Sequence, residues 1–251
     1  MKKKWLILLV VALGLLIIGG VLLFSGKKAK NTALLTPTPA PAITEIPLEE
    51  RPYVRLIPRT DGKELTLEIS RLKGIQAVEY ELTYLSDDLS RGVIGSIDLK
   101  SEEEISRKLT LGSCSRNVCK YDENVTEGSL LLRFRGEKGV SRYTSDFRLQ
   151  KGGSSLISLD EKFSLEGKIS SSSYYIVMST MGLPGEVPGS VEAGPYGIFT
   201  EGSTVIKNGK VAFPDLADRS VNIYLWTGKA WQKAENGLTS SLNTFVALTS
   251  E

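Results

Sequence analysis

The chain of 251 residues contains no histidine. Histidine is the commonest general base and the commonest metal ligand in proteins, so its absence argues against many classes of enzyme. Cysteine is almost as scarce, because Cys114 and Cys119 are the only two. Without a histidine or a third cysteine, this pair cannot complete a structural zinc site. We therefore expect no metal centre and no cofactor, and we assign no catalytic residue.

Several motifs that carry chemistry are also missing or incomplete. The stretch 181–197 is rich in glycine and proline but lacks the Gly-Lys-Ser/Thr end of a phosphate-binding loop. Ser70 and Lys73 have the spacing of a penicillin-binding nucleophile, but both partner motifs are absent, so we interpret the match as chance. Acidic clusters occur in predicted loops at Asp87-Asp88, Glu102-Glu103-Glu104 and Asp122-Glu123. None has calcium-loop spacing, so solvated loop charge is our interpretation and a calcium site is the alternative.

The chain also lacks a large excess of positive charge outside its N-terminus. Six lysines flank the first apolar run, and without them residues 31–251 hold 25 basic and 29 acidic residues, a net charge of −4. A protein that neutralises several phosphates needs a basic patch. We therefore predict that nucleic acid is not a partner.

One long hydrophobic run is present at the N-terminus. Residues 5–24 carry no charge and are flanked by Lys2, Lys3 and Lys4 on one side and by further lysines from Lys27 on the other. Twenty residues at about 1.5 Å each cover about 30 Å, the thickness of the hydrocarbon core of a bilayer. Residues 1–30 are therefore predicted to be a single transmembrane anchor in contact with the lipid bilayer. A signal peptide cleaved near Ser25 remains the alternative.

A proline-rich segment, residues 31–51, follows the predicted anchor. Alternating prolines between residues 36 and 42 favour a polyproline II stalk, which over about 20 residues at about 3.1 Å each would extend about 60 Å. A disordered linker has the same composition. The lysines on the two sides of the apolar run are nearly equal in number, so the stalk decides the predicted orientation. We expect a single-pass protein of the cell membrane, with its N-terminus cytoplasmic and its C-terminal domains extracytoplasmic.

Residues 52–150 show an alternation of apolar and polar residues with period two, which is typical of β-strands. In Ala-Val-Glu-Tyr-Glu-Leu-Thr-Tyr, for example, Val78, Tyr80, Leu82 and Tyr84 share one face. The pattern predicts seven strands in this region: Val54–Ile57, Glu64–Ser70, Ala77–Tyr84, Val93–Leu99, Ile105–Leu111, Ser129–Arg135 and Ser141–Leu149.

Seven short strands, with Tyr-x-Leu-x-Tyr in the third and Leu-Leu-Arg-Phe-Arg in the sixth, resemble the fibronectin type III and immunoglobulin-like modules of bacterial surface proteins. The second strand departs from that family because it has no tryptophan. The resemblance implies a β-sandwich over 52–150.

The second half, 151–251, is predicted to form another β-rich domain after a boundary at Gly-Gly-Ser-Ser, residues 152–155. Asn208-Gly209 within 204–213 predicts a hairpin with a type I′ turn. Val221–Trp226 and Ala230-Trp231 predict a second hairpin, and Asn243–Leu248 predicts a closing strand. The expected fold class is therefore all-β, with two tandem β-sandwich modules preceded by the transmembrane helix and the proline-rich linker.

The remaining candidate site residues are the cysteines and a group of aromatic residues. Cys114 and Cys119 are predicted to form a disulfide, as expected outside the cytoplasm, with two reduced thiols as the alternative. The side chains of Tyr224, Trp226 and Trp231 could stack on a ligand such as a sugar, although aromatic residues of a hairpin more often pack against each other. Asn124-Val-Thr126 matches a glycosylation acceptor.

These observations favour a non-catalytic protein of the cell envelope that binds or scaffolds a protein or a glycan. The alternative is an envelope hydrolase whose paired carboxylates, such as Glu186 and Glu192, lie in the second domain. A third hypothesis is an assembly subunit, which would polymerise.

Overall fold

The computed structural model describes residues 46–249, apart from 117, 138 and 203. The predicted anchor at 1–30, including the apolar run 5–24, and most of the predicted linker lie outside the described residues. Within the described ranges, no helix is both long and apolar enough to span a bilayer. This part of the chain is all-β, as predicted.

The described residues form eighteen strands and three short 3-10 helices. The strands of the first half are β1 (Tyr53–Pro58), β2 (Glu64–Ser70), β3 (Ile75–Ser86), β4 (Leu89–Asp98), β5 (Glu104–Thr110), β6 (Gly112–Ser115), β7 (Val118–Tyr121), β8 (Glu127–Gly136) and β9 (Gly139–Lys151). Those of the second half are β10 (Ser155–Ile157), β11 (Ser164–Lys168), β12 (Tyr174–Ser179), β13 (Val191–Phe199), β14 (Val205–Ala212), β15 (Val221–Trp226), β16 (Trp231–Lys233), β17 (Leu238–Ser241) and β18 (Thr244–Thr249). The 3-10 helices are Leu48–Glu50, Pro214–Leu216 and Glu235–Gly237.

The strands predicted between residues 52 and 150 are confirmed, because β1 to β5, β8 and β9 coincide with them to within a few residues. Strand β2 shows the reason. Leu65, Leu67 and Ile69 are buried, whereas the alternate side chains of Thr66 and Glu68 are partly exposed. Because the side chains of a strand alternate between its two faces, one buried face produces this period of two in the sequence.

The strands form four sheets in the described part of the chain. The large sheet has the order β16-β15-β18-β13-β12-β9-β8-β3-β4. The first small sheet has the order β1-β2-β5, and the second has the order β10-β11-β14-β17. Strands β6 and β7 form a separate hairpin that the sequence did not predict, because its residues show no apolar alternation.

The two small sheets cover opposite faces of the large sheet. Strand β12 shows this best: Ile176 and Met178 lie in the core beneath the first small sheet, and Tyr175 and Val177 lie in the core beneath the second. Since successive side chains of a strand point to opposite faces, the two cores must lie on opposite sides of β12. Strand β12 is therefore buried on both faces.

The predicted boundary at residues 152–155 follows β9 directly, yet the large sheet continues past it. Strand β9 pairs with β12, with Leu149 opposite Ile176 and Phe147 opposite Met178. Hydrogen bonds thus join the two halves of the chain. The division into independent units at 52–150 and 151–251 remains a prediction.

The hairpin predicted at 204–213 is wrong. Residues 205–212 form the single strand β14, whose pairing with β11 shifts between Glu166 opposite Lys210 and Lys168 opposite Lys207. Asn208 has the positive φ of 54° that the sequence suggested, but Gly209 is not among the residues with positive φ, whereas a type I′ turn requires both. The Asn-Gly pair therefore forms a β-bulge.

The other two predictions for the second half are confirmed. Strands β15 and β16 form the second hairpin, with Trp226 opposite Trp231, and β18 is the closing strand. Strand β18 lies between β15 and β13 in the interior of the large sheet, so the last strand in the sequence is central to the fold.

Candidate functional site

The structure brings Trp226 and Trp231 together at the edge of the large sheet. Their ring centroids lie 5.5 Å apart with an interplanar angle of 62°. The indole Nε1 of Trp231 donates a hydrogen bond to the carbonyl oxygen of Gly185 at 3.2 Å. Tyr224 and Trp231 also pack against a small apolar cluster that contains Leu183. The loop that contains Gly185 and Leu183 thus contacts these aromatic residues. Ligand stacking by Tyr224, Trp226 and Trp231 remains a prediction.

Gly185 fits closely against the aromatic pair. A Cβ atom added at Gly185 would lie 2.8 Å from Cη2 of Trp226, so a larger residue would displace either the ring or the loop. This contact explains why a glycine is suited to the position, and it indicates that part of the Trp226 surface is already used for packing.

Cys114 and Cys119 are opposite each other in the hairpin formed by β6 and β7. Their sulfur atoms are 2.12 Å apart, which is the separation of a bonded pair, and their Cα atoms are 4.0 Å apart. The geometry is compatible with the predicted disulfide.

The two carboxylates considered for a hydrolase have different surroundings. Glu192 accepts a hydrogen bond from the guanidinium of Arg219 and forms an ion pair with it, and Glu186 is exposed. Within the described part of the chain, no group of three or more histidine, cysteine or acidic residues is placed to hold a metal ion.

The described part of the chain contains an open polar groove that the sequence did not predict. Its volume is about 710 Å³, and it lies at one end of the first core, between the β1–β2 turn, the segment 122–127, the end of β9 and the start of β12. We call it the groove. It is lined by Asp61, Gly62, Lys63, Asp122, Glu123, Asn124, Val125, Thr126, Glu127, Arg148, Leu149, Gln150, Lys151 and Tyr174.

One wall of the groove is the turn between β1 and β2. Arg59 donates two hydrogen bonds, each of 2.7 Å, to the carboxylate of Asp61, and the backbone N–H of Lys63 donates a third at 3.0 Å. These bonds, above all those from Arg59, hold the pKa of Asp61 below its usual value. Gly62 has a φ of 73°, and a Cβ atom added there would lie 2.9 Å from the ring of Tyr174. The turn therefore lies directly against this ring.

The opposite wall is the segment 122–127, which is irregular but firmly held. Asp122 accepts a hydrogen bond of 2.8 Å from the hydroxyl of Tyr84. Burial, followed by this bond, raises the pKa of Tyr84. Asn124 has a φ of 55° and donates a hydrogen bond of 2.6 Å to Asp87, while Val125 is buried in the first core. The asparagine of the Asn-Val-Thr motif is thus exposed, and its amide is engaged by a neighbouring carboxylate.

Several charged groups of the groove remain available to a ligand. Among the described residues, Glu123, Glu127 and Arg148 form no ion pair. The ammonium of Lys151 lies 5.4 Å from the ring centroid of Tyr174. Acidic and basic groups beside an aromatic ring and backbone amides can bind an extended polar ligand through hydrogen bonds. The lining residues include no serine, cysteine or histidine.

A second polar cluster lies beside the second core and is structural. Asp160 accepts hydrogen bonds from the hydroxyls of Ser158 and Tyr196, and the ring of Tyr196 stacks on Phe163 at 5.3 Å. Burial by itself would raise the pKa of Asp160, but the hydrogen bonds outweigh it and lower the pKa. Burial, and then Asp160, raise the pKa of Tyr196. The cluster fastens the loop after β10 to β13.

In comparisons with known proteins, no family model, no curated protein and no solved structure matches this chain. The fold and the groove define an all-β protein of several sheets with an open polar groove at one end.

Proposed function

We propose that this protein is a non-catalytic binding or scaffolding element of the cell envelope, attached to the membrane through residues 5–24. Its N-terminus is cytoplasmic and its β-rich body is extracytoplasmic. The groove is the observation that supports binding, because its walls are held in place while several of its charged groups have no partner among the described residues. A rigid site orders little on binding and so keeps more of its interaction energy. Its ligand is an envelope protein or glycan.

We further propose that the first half is a fibronectin type III or immunoglobulin-like sandwich. The sheet order supports this assignment: the first small sheet, β1-β2-β5, faces the four strands β4-β3-β8-β9 of the large sheet across one core. Seven strands divided in this way between two antiparallel sheets are typical of such modules.

Cysteine labelling in intact cells tests the proposed location. We expect a membrane-impermeant maleimide to modify Cys114 and Cys119 only after treatment with an impermeant reductant, because both are exposed and bonded to each other. Mass spectrometry of the labelled peptide is the measurement. Labelling that requires lysis of the cells would place the body in the cytoplasm and reject the proposed orientation.

Binding to purified envelope material tests the role of the groove. The full chain in detergent micelles is mixed with this material, and the bound fraction is measured after sedimentation. We expect combined replacement of Arg148 and Lys151 with alanine to weaken binding about tenfold or more, since each replacement removes a charge that lines the groove. Combined replacement of Arg107 and Lys108, two exposed cations of β5 outside the groove, should leave binding unchanged.

Two results would contradict this role. Equal binding by both double variants would remove the groove from the proposal. Turnover of the envelope glycan that is lost in Glu192→Gln would instead identify the protein as a hydrolase.

A further inference from the structure

The hairpin formed by β6 and β7, residues 112–121, stands apart from the three larger sheets. Cys114, Val118 and Lys120 are exposed, and 73% of the surface of Val118 is accessible. An isolated two-stranded hairpin is only marginally stable in water. Such an element needs additional support to keep one conformation.

The hairpin has two different faces. Cys114 and Cys119 lie opposite each other, so they share one face with Tyr121, two residues further along β7. The other face carries Val118 and Lys120, which lie opposite Ser115 and Ser113 respectively. One face thus holds the covalent link, and the other presents a valine, a lysine and two small hydroxyl residues. We call the second one the contact face.

Tyr121 fastens the base of the hairpin to the rim of the groove. Its hydroxyl donates a hydrogen bond of 3.2 Å to Glu64. The guanidinium of Arg59 lies 5.2 Å from its ring centroid, and the ammonium of Lys63, a residue of the groove, lies 5.4 Å away. The hairpin is therefore held at its base by these side chains and linked in its middle by the two sulfurs, while Ser115, Arg116 and Val118 are exposed.

The hairpin is cationic, although the body is not. Residues 112–121 contain Arg116 and Lys120 and no acidic residue, whereas residues 31–251 as a whole carry a net charge of −4. Among the described residues, neither Arg116 nor Lys120 forms an ion pair. Lys120 on the same face as the exposed Val118, with Arg116 in the turn of the same hairpin, complements an acidic surface that has an apolar depression.

We propose that this hairpin is a preorganised contact element whose partner is an acidic protein surface. The proposal rests on the proposed binding function and names the class of partner. The disulfide and the contacts at the base order the hairpin before binding, so less conformational entropy is lost when a partner binds. This order gives an advantage only to an element that binds a partner. An anionic membrane is the weaker fit, because two cations are fewer than the clusters of about four to eight that bind such a surface.

A soluble glutamate-rich peptide that contains a few leucines is the probe for this proposal. The full chain is held in nanodiscs of neutral lipid, and peptide binding is followed by fluorescence anisotropy. Hydrogen exchange with mass spectrometry then locates the contact. We expect saturable binding, protection of residues 112–121, and a loss of about tenfold or more in affinity when Arg116 and Lys120 are both replaced with glutamate. The same reversal at Arg107 and Lys108 on β5 should leave affinity unchanged.

A second variant tests the role of the disulfide. Replacement of Cys114 and Cys119 with serine should lower the affinity for the peptide several-fold while the body keeps its thermal stability, because the hairpin must then be ordered on binding. A variant that binds as tightly as the native chain would show that the hairpin is not preorganised by the link, and would overturn the proposal.

Other results would also contradict the proposed contact between the hairpin and an acidic protein surface. No binding of the peptide, unchanged affinity after charge reversal at Arg116 and Lys120, or protection in the groove instead of the hairpin would each overturn it. Protection of the hairpin by anionic nanodiscs in place of the peptide would assign the cations to lipid. None of these results depends on the location of the body, so failure of the labelling experiment and failure of this proposal are distinguishable.

Discussion

Replacement of Phe245 with alanine is expected to lower the free energy of unfolding by about 3–5 kcal/mol. Phe245 lies in β18 with 0% of its surface exposed, and its ring centroid is 5.5 Å from that of Phe163. Alanine removes most of the buried ring and leaves a cavity that a β-sheet cannot easily close. A loss of this size is a large part of the total stability of an ordinary domain.

The same substitution should destabilise the first half of the chain, although Phe245 belongs to the second core. Strand β18 pairs with β13, which pairs with β12, and Ile176 of β12 packs in the first core. Because one continuous sheet joins the two cores, we expect a single unfolding transition. Hydrogen exchange at increasing urea concentrations, measured separately in β3 and β15, will show whether both strands open together.

An exposed position and a possible second transition serve as checks on this prediction. Val140→Ala, at a side chain that is 54% exposed, should change the free energy of unfolding very little. If Phe245→Ala lowers the midpoint for β15 while β3 keeps its native midpoint, the two halves are independent domains separated near residues 152–155.

Replacement of Gly209 with alanine is expected to cost about 1–3 kcal/mol. A Cβ atom at this position would lie 2.0 Å from Cδ1 of Ile206 and 2.5 Å from the backbone oxygen of Thr239. The isoleucine side chain can rotate away, but the backbone oxygen belongs to β17, which pairs with Gly209 in β14. The two strands must therefore separate locally. Urea unfolding of the variant measures the cost.

Gly153→Ala is the matched control, because a Cβ atom there would meet nothing within 4 Å among the described residues. It should be neutral or slightly stabilising, since alanine restricts the unfolded chain. Equal stability of the Gly209 and Gly153 variants would mean that β14 and β17 are not paired at this position.

The strands of this protein were predictable where one face is buried and the other is solvated. Strand β2 matches its predicted bounds because Leu65, Leu67 and Ile69 alternate with more polar residues. The hairpin of Trp226 and Trp231 was likewise predictable from two short apolar runs around a Thr-Gly-Lys turn. In both cases the decisive interactions are local in sequence or repeat along a single strand.

The Asn208-Gly209 pair shows the limit of local signals. The residue types correctly indicated a positive φ at Asn208, but a reversal of the chain and a bulge can both use such a residue. Which of them forms depends on whether β11 and β17 are present to pair with both sides of β14. These strands are distant in sequence from the Asn-Gly pair, so tertiary contacts decide between a turn and a bulge.

By itself, the sequence determined the all-β class and, in the first half, strands β1 to β5, β8 and β9, because alternation along a strand is a local property. Only the tertiary structure decided that one large sheet carries small sheets on opposite faces, with Tyr175 and Ile176 of a single strand in two different cores. It also decided the groove, whose walls at Asp61 and Asp122 are far apart in sequence. The physical reason is that strand pairing joins distant segments through backbone hydrogen bonds. Every residue can accept such a bond and every residue except proline can donate one, so the pairing leaves little trace in the side chains.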